Sequence, residues 1–208
     1  MNPLTTEPRT EPRTELPTGT TTYELSRRTL AAGEARSAVF RRVYEAPVED
    51  VWEACTDPAR LRRWYAPVEG DLRVGGTFTQ GDFGPGLITR CEAPARLTVA
   101  LGGVDPAPDE VEVRLTALDG DRTLFELEHA TTLDAHEIGG QMFDAIYCMG
   151  GGYGPRLETL DAHLHGTLPD DVDVTALHLR PELGPAIEQS MAALASLLDA
   201  AAQHEGPR

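Results

Sequence analysis

Residues 57–76 read DPARLRRWYAPVEGDLRVGG, and the identity of this stretch decides what the rest of the chain becomes. Four arginines, a Trp-Tyr pair and a double glycine share twenty positions. A phosphate or nucleic-acid loop would need glycines that open into a helix N-terminus and a net positive surface around them. Here Gly75-Gly76 runs on into Thr77-Phe78-Thr79-Gln80, a strand-like run. A glycine pair in a strand marks a bulge or sharp bend. The surrounding charge is also wrong for phosphate. The 208 residues carry a formal charge of −16, with 13 Arg against 14 acids in residues 1–104 and 5 Arg against 20 acids in residues 105–208. Such a surface repels nucleic acid and anionic lipid. The stretch therefore reads as scaffold. Asp57 is the expected N-cap and Pro58 the first residue of a short helix, with Leu61, Trp64 and Tyr65 on one face. Arg60 and Arg63 fall off that face and are expected in solvent.

Working outward, all eighteen basic residues are Arg. Without lysine there is no Schiff-base nucleophile, no P-loop lysine and no kinase lysine. Cys55, Cys91 and Cys148 are far apart and fit no structural zinc spacing. Cys55 and Cys148 read as inert buried thiols. No run approaches the ~18 apolar residues that span a bilayer. The N-terminus has no apolar h-region, so no signal peptide is expected, and the cytoplasm is the default location. The repeat TEPRTEPRTE has nothing to bury, so residues 1–22 are expected to be a disordered tail.

Upstream of the opening stretch, SAVFRRVYEAP reads as a strand stopped by Pro47. PVEDVWEACTD then starts a helix with Val48, Val51, Trp52 and Cys55 on one face. Downstream, GLITRCEAP, ARLTVALGG, DEVEVRLTAL and RTLFELEHAT read as strands. The DGD turn joins the last two and places Phe125, Leu127 and His129 on one face. The carboxylates of DEVEVR and ELE read as a solvated outer face. Residues 133–140 are expected to be a loop and residues 141–165 a helix, kinked or restarted at GGGYGP. Residues 167–180 look like a linker. Residues 181–203 look like an amphipathic accessory helix with Ile187, Ser190, Met191, Leu194, Leu197, Leu198 and Ala201 on one side. The fold class expected is α+β: a curved antiparallel sheet of about six or seven strands wrapped around a long C-terminal helix, plus the extra helix.

Taken in order, RRVYEAPVEDVWEACTDPARLRRWYAP, GDLRVGG, GLITRCEAPARLTV, GDRTLFELEH and GGGYGPRLETLDAHL resemble the SRPBCC (START-like, helix-grip, birch-pollen-allergen-like) superfamily. Within it they resemble bacterial homologues of the heat-shock-protein ATPase activators. The likeness covers about residues 37–166, and the helix-grip domain is expected over 23–166. It implies a deep, mostly apolar cavity between sheet and long helix. The chain departs from the pattern at LTVALGG, which lacks a Trp often found there, and at Tyr153, where the family usually has Trp. Both positions are cavity wall, so no ligand identity carries over.

No Ser-His-Asp order, G-x-S-x-G elbow or H-E-x-x-H occurs in the sequence. His163 and His165, two apart on a helix, cannot share a metal. The candidate cavity residues are Trp52, Trp64, Phe78, Phe83, Phe125, His129, Tyr147 and Tyr153, with no catalytic set, metal or cofactor assigned. His129 follows Phe125 and Leu127 by strand alternation and should face the cavity, to orient a ligand, to act as a base, or simply to hydrogen-bond at the sheet's end. The expected function is non-catalytic binding or sequestration of a hydrophobic or amphipathic small molecule. One alternative is a cavity enzyme, cyclase/aromatase or hydrolase-like, using His129 or a tyrosine as acid/base. Another is a cochaperone-like module that binds a chaperone or other protein, with neither nucleic acid nor membrane as partner.

Overall fold

The computed structural model describes residues 16–81 and 84–205. Most of the expected tail, residues 1–15, and Phe83 lie outside them. The elements are β1 (Thr22–Leu30), β2 (Gly33–Tyr44), α1 (Val48–Thr56), α2 (Pro58–Trp64), β3 (Val68–Gly70), β4 (Thr77–Gln80), β5 (Pro85–Glu92), β6 (Arg96–Leu101), β7 (Asp109–Leu118), β8 (Arg122–Thr131), β9 (Ala135–Ile138), β10 (Gln141–Asp144), α3 (Ala145–Leu164) and α4 (Gly184–Glu205). Eight strands form one open antiparallel sheet in the order β1-β2-β8-β7-β6-β5-β4-β3.

Local chemistry explains the element ends. Asp57 caps α2 by accepting hydrogen bonds from the Ala59 and Arg60 amides, with Pro58 as the first helical residue. The turn at Asp119-Gly120-Asp121 has positive φ at Gly120 (75°) and Asp121 (53°). It fixes the register that sets Leu115 opposite Phe125, Val113 opposite Leu127 and Val111 opposite His129. With side chains alternating between faces, that register decides the concave surface. Gly75 and Gly76 form the bend read from the sequence. The Gly75 amide donates to the Ile88 carbonyl and the Ile88 amide to the Gly76 carbonyl, and a Cβ on Gly76 would collide with the Asp71 backbone. DLRVGGTFTQ, residues 71–80, alternates like a strand from Asp71 with Leu72 and Val74 on one face, but strand β4 begins only at Thr77, leaving Leu72 and Val74 exposed.

The core is the concave face closed by the helices. Phe40, Tyr44, Leu115, Phe125 and Leu127 meet Ile146, Leu157 and Leu160 of α3 and Leu194 of α4. Each large side chain so buried contributes about 1.5–3 kcal/mol. Arg42, 2% exposed, bridges sheet to helix. Its guanidinium donates to Glu158 at 2.5 and 3.1 Å and lies 3.3 Å from Asp161.

Sequence expectations are corrected at several points. Residues 133–140 are not a loop, because β9 and β10 pair as a hairpin, and α3 accordingly starts at Ala145, capped by Asp144. The helix does not restart at GGGYGP but continues from Ala145 to Leu164 with Pro155 inside it, and Gly150 and Gly154 let α4 approach closely. A Cβ at Gly150 would lie 2.9 Å from the Met191 amide nitrogen, and one at Gly154 would lie 2.7 Å from the Ala186 carbonyl oxygen. Arg60 is not a solvent residue. It donates to Asp50 at 2.6 Å and to His163 at 3.2 Å, tying α1, α2 and α3 together. The outer-face carboxylates are not all solvated. Glu128 is buried, accepts from the Ser37 hydroxyl at 2.9 Å and is flanked by Arg28 and Arg114. The stretch read as a linker also buries Val174 and Leu177. Among the described residues no helix is long and apolar enough to cross a membrane.

Candidate functional site

An apolar cavity of about 160 Å³ lies between the sheet and the helices. The α1–α2 corner supplies Cys55, Leu61, Trp64 and Tyr65. Strands β4 to β6 supply Phe78, Gln80, Ile88 and Val99, β7 and β8 supply Val111, Phe125 and Leu127, and α3 supplies Tyr153. Exposed Leu72 and Cys91 are also wall residues, so the cavity reaches the surface between the 71–76 turn and the β5–β6 pair. A dry cavity of ~150 Å³ lined by Leu, Ile and Phe accepts benzene. This one is therefore sized for about one aromatic ring.

Its walls are held by hydrogen bonds that satisfy the polar ends of amphipathic side chains. The Trp64 indole donates to the Ala54 carbonyl at 2.8 Å. The Thr159 hydroxyl lies 3.1 Å from the Trp64 carbonyl and 3.0 Å from the Arg156 carbonyl of its own helix, sharing its proton between α2 and α3. The Tyr65 hydroxyl donates to Gln80 Oε1 at 2.7 Å, and the Arg156 guanidinium sits 5.6 Å from the Tyr65 ring centroid. Burial raises the pKa of both Tyr65 and Tyr153 above the ordinary phenol value, Tyr153 strongly, so both phenols stay protonated. Burial also pushes the Cys55 thiol up to about 12.

Tyr153 connects the cavity to a polar chain behind it. Its hydroxyl lies 3.1 Å from His129 Nδ1, and its ring packs on Phe40 at 5.2 Å between centroids. His129 Nε2 lies 3.4 Å from Asp109 Oδ1, long for a hydrogen bond, so this pairing is mainly electrostatic. Burial alone would discourage ionisation of Asp109. The close approach of His129, hydrogen bonding from Thr131 and the charges of His129 and His136 outweigh it and hold the carboxyl below the ordinary range.

Of the sequence candidates, Trp64, Phe78, Phe125 and Tyr153 are in the wall. His129 stands behind Tyr153. Trp52 packs against the core, and Tyr147 stacks on Phe143 at 6.4 Å, both away from the cavity wall. Phe83 lies outside the described residues. Sequence reasoning missed Tyr65, Gln80 and Asp109. Asp109 had a signal: the register from the Asp119-Gly120-Asp121 turn pairs it with Thr131, placing it diagonally beside His129 on the same face. His163 and His165 face different partners, Arg60 and the Asp161 carbonyl.

The model of the Activator of Hsp90 ATPase homolog 1-like protein family matches residues 45–164. The crystal structure of CalU16 from Micromonospora echinospora is 37% identical, with TM-score 0.69, over 86% of this chain and 99% of that one. EF2215 from Enterococcus faecalis, a conserved protein of unknown function, shares the fold at 14% identity, with TM-score 0.55, over 84% and 92%. DynU16, described as a putative protein in the dynemicin biosynthetic locus, shares it at 22% identity, with TM-score 0.52, over 66% and 50%. No curated protein sequence matches the chain.

Proposed function

Starting from the premise that this chain belongs to the Activator of Hsp90 ATPase homolog 1-like family, we propose that it binds a small apolar or amphipathic molecule in the central cavity and sequesters it in the cytoplasm without chemical change. The observation that supports this reading is the cavity itself, with its aromatic and aliphatic walls and its opening at Leu72 and Cys91. Filling it with one ring would remove apolar surface from water on both partners at about 25 cal/mol per Å². Toluene titration followed by Trp fluorescence, together with native mass spectrometry of the purified protein, tests the proposal. Saturable toluene binding that is lost on narrowing the wall by Val111→Phe supports it. No saturation, no co-purifying guest and no displacement of an apolar dye would sink it.

One observation favours a second reading, an acid/base enzyme in the same cavity. The Tyr153 hydroxyl touches His129, and His129 touches Asp109, an arrangement able to move a proton. Turnover of a bound guest that disappears in Tyr153→Phe would move the balance to this reading.

A further inference from the structure

The chain Asp109–His129–Tyr153 has a direction, and the direction bears on which guest the cavity prefers. A carboxylate can only accept hydrogen bonds. His129 Nε2 faces the Asp109 carboxylate at 3.4 Å, and in the neutral imidazole the negative charge there favours the tautomer with the proton on Nε2 over one that turns a lone pair toward it. Nδ1 is then an acceptor, and the hydroxyl 3.1 Å away must be the donor. Tyr153 thus spends its only proton on His129. Its oxygen keeps lone pairs and has no proton left to offer. Tyr153 is at the same time a wall residue of a cavity of single-ring size, and burial keeps its phenol protonated.

We propose that Asp109, His129 and Tyr153 act as a polarity filter, making the cavity selective for single-ring molecules that bear a hydroxyl donor, the phenol class, over ring ethers of similar size that can only accept. This rests on the cavity-binding reading above and adds to it the chemistry of the guest. Tyr153 is the contact residue. His129 and Asp109 are positioning residues that set the sense of its hydrogen bond.

The test uses calorimetric titration of the full-length protein at about pH 8 with toluene, phenol and anisole. Comparing affinity ratios between proteins cancels the differing hydration of the probes. One hydrogen bond is worth about a factor of ten, so the phenol-to-anisole ratio should fall about tenfold in Tyr153→Phe. In His129→Phe the Tyr153 hydroxyl loses its acceptor and can donate toward the cavity. Anisole should then gain on phenol, a reversal that a merely structural histidine would not produce. If His129→Phe does not fold, the Tyr153→Phe ratio alone decides. Should toluene bind while the ratio is the same in wild type and Tyr153→Phe, the filter is overturned and the cavity reading stands. Should none of the three probes bind the wild type, the cavity reading fails and the filter falls with it.

Discussion

The contact between α3 and α4 makes a prediction of sign as well as size. Replacing a helical glycine by alanine ordinarily stabilises by about 0.5–1 kcal/mol. Gly152 fits that expectation, because a Cβ there would meet nothing within 4 Å. At Gly150 the new Cβ would lie 2.9 Å from the Ser190 carbonyl carbon and the Met191 amide nitrogen. Backbone atoms cannot rotate aside, so α4 would have to move as a body. At Gly154 the Cβ would lie 2.5 Å from Ser190 Oγ and 2.7 Å from the Ala186 carbonyl oxygen. Turning Ser190 away forfeits its 2.7 Å hydrogen bond with the Tyr23 hydroxyl, about 1 kcal/mol. Overpacking costs about 1–3 kcal/mol, so it outweighs the gain in propensity. Gly150→Ala and Gly154→Ala are each expected to destabilise by about 1 kcal/mol or more, while Gly152→Ala stabilises. Urea denaturation followed by Trp fluorescence reads all three. If the outer two stabilise as Gly152→Ala does, the helices are not in contact and the close-approach reasoning is refuted.

Cys91, at the cavity mouth, is expected to react first with an aromatic disulfide reagent at about pH 8, whereas Cys55 would be ionised in only about one molecule in 10⁴. A fast phase that survives Cys91→Ser contradicts this. Removing the carboxylates from buried Arg42 by Glu158→Gln/Asp161→Asn should cost about 3 kcal/mol, because a cation is left unpaired. Arg42→Met should cost less, and a thermal melt with the opposite ranking rejects the clamp. The depressed Asp109 carboxyl contributes stability that is complete above the ordinary aspartate value of about 3.9 and is lost as pH falls through its lower folded value. Asp109→Asn should therefore flatten the acid limb of a pH–stability curve, and an unaltered limb would show that the His129 pairing contributes nothing.

The fold was legible wherever local chemistry and periodicity agreed. The Asp57-Pro58 start, the strand alternation of β7 and β8 and the turn between them stand as expected, and so does a long helix gripped by a sheet. Misreadings arose where a tertiary contact overrode a local preference. GGGYGP reads as a break because glycine disfavours helices, yet two of those glycines are what lets α4 pack. AHEIGG reads as a loop and QMFD as the start of the helix, because two four-residue strands around Gly139-Gly140 leave no apolar pattern to detect. The candidate site was half legible for a related reason. Aromatic residues attract attention, whereas Ile88, Val99 and Val111 line the same cavity and are indistinguishable in sequence from core. Arg60 looked exposed by helical parity, but parity within α2 cannot show that α1 and α3 approach from its other side.

The helix seam and the cavity mouth occupy opposite halves of the sheet. Helix α4 packs on α3 and meets β1 through Tyr23 and Ser190, whereas the mouth lies among the 71–76 turn, β5 and β6. Under the proposed binding function a guest would enter by a local opening at the mouth, at a fraction of the free energy of global unfolding. Substitutions at the mouth, at Leu72 or Cys91, therefore leave the seam untouched, and substitutions in the seam leave the mouth untouched, whereas Phe125 and Leu127 belong to core and cavity wall alike.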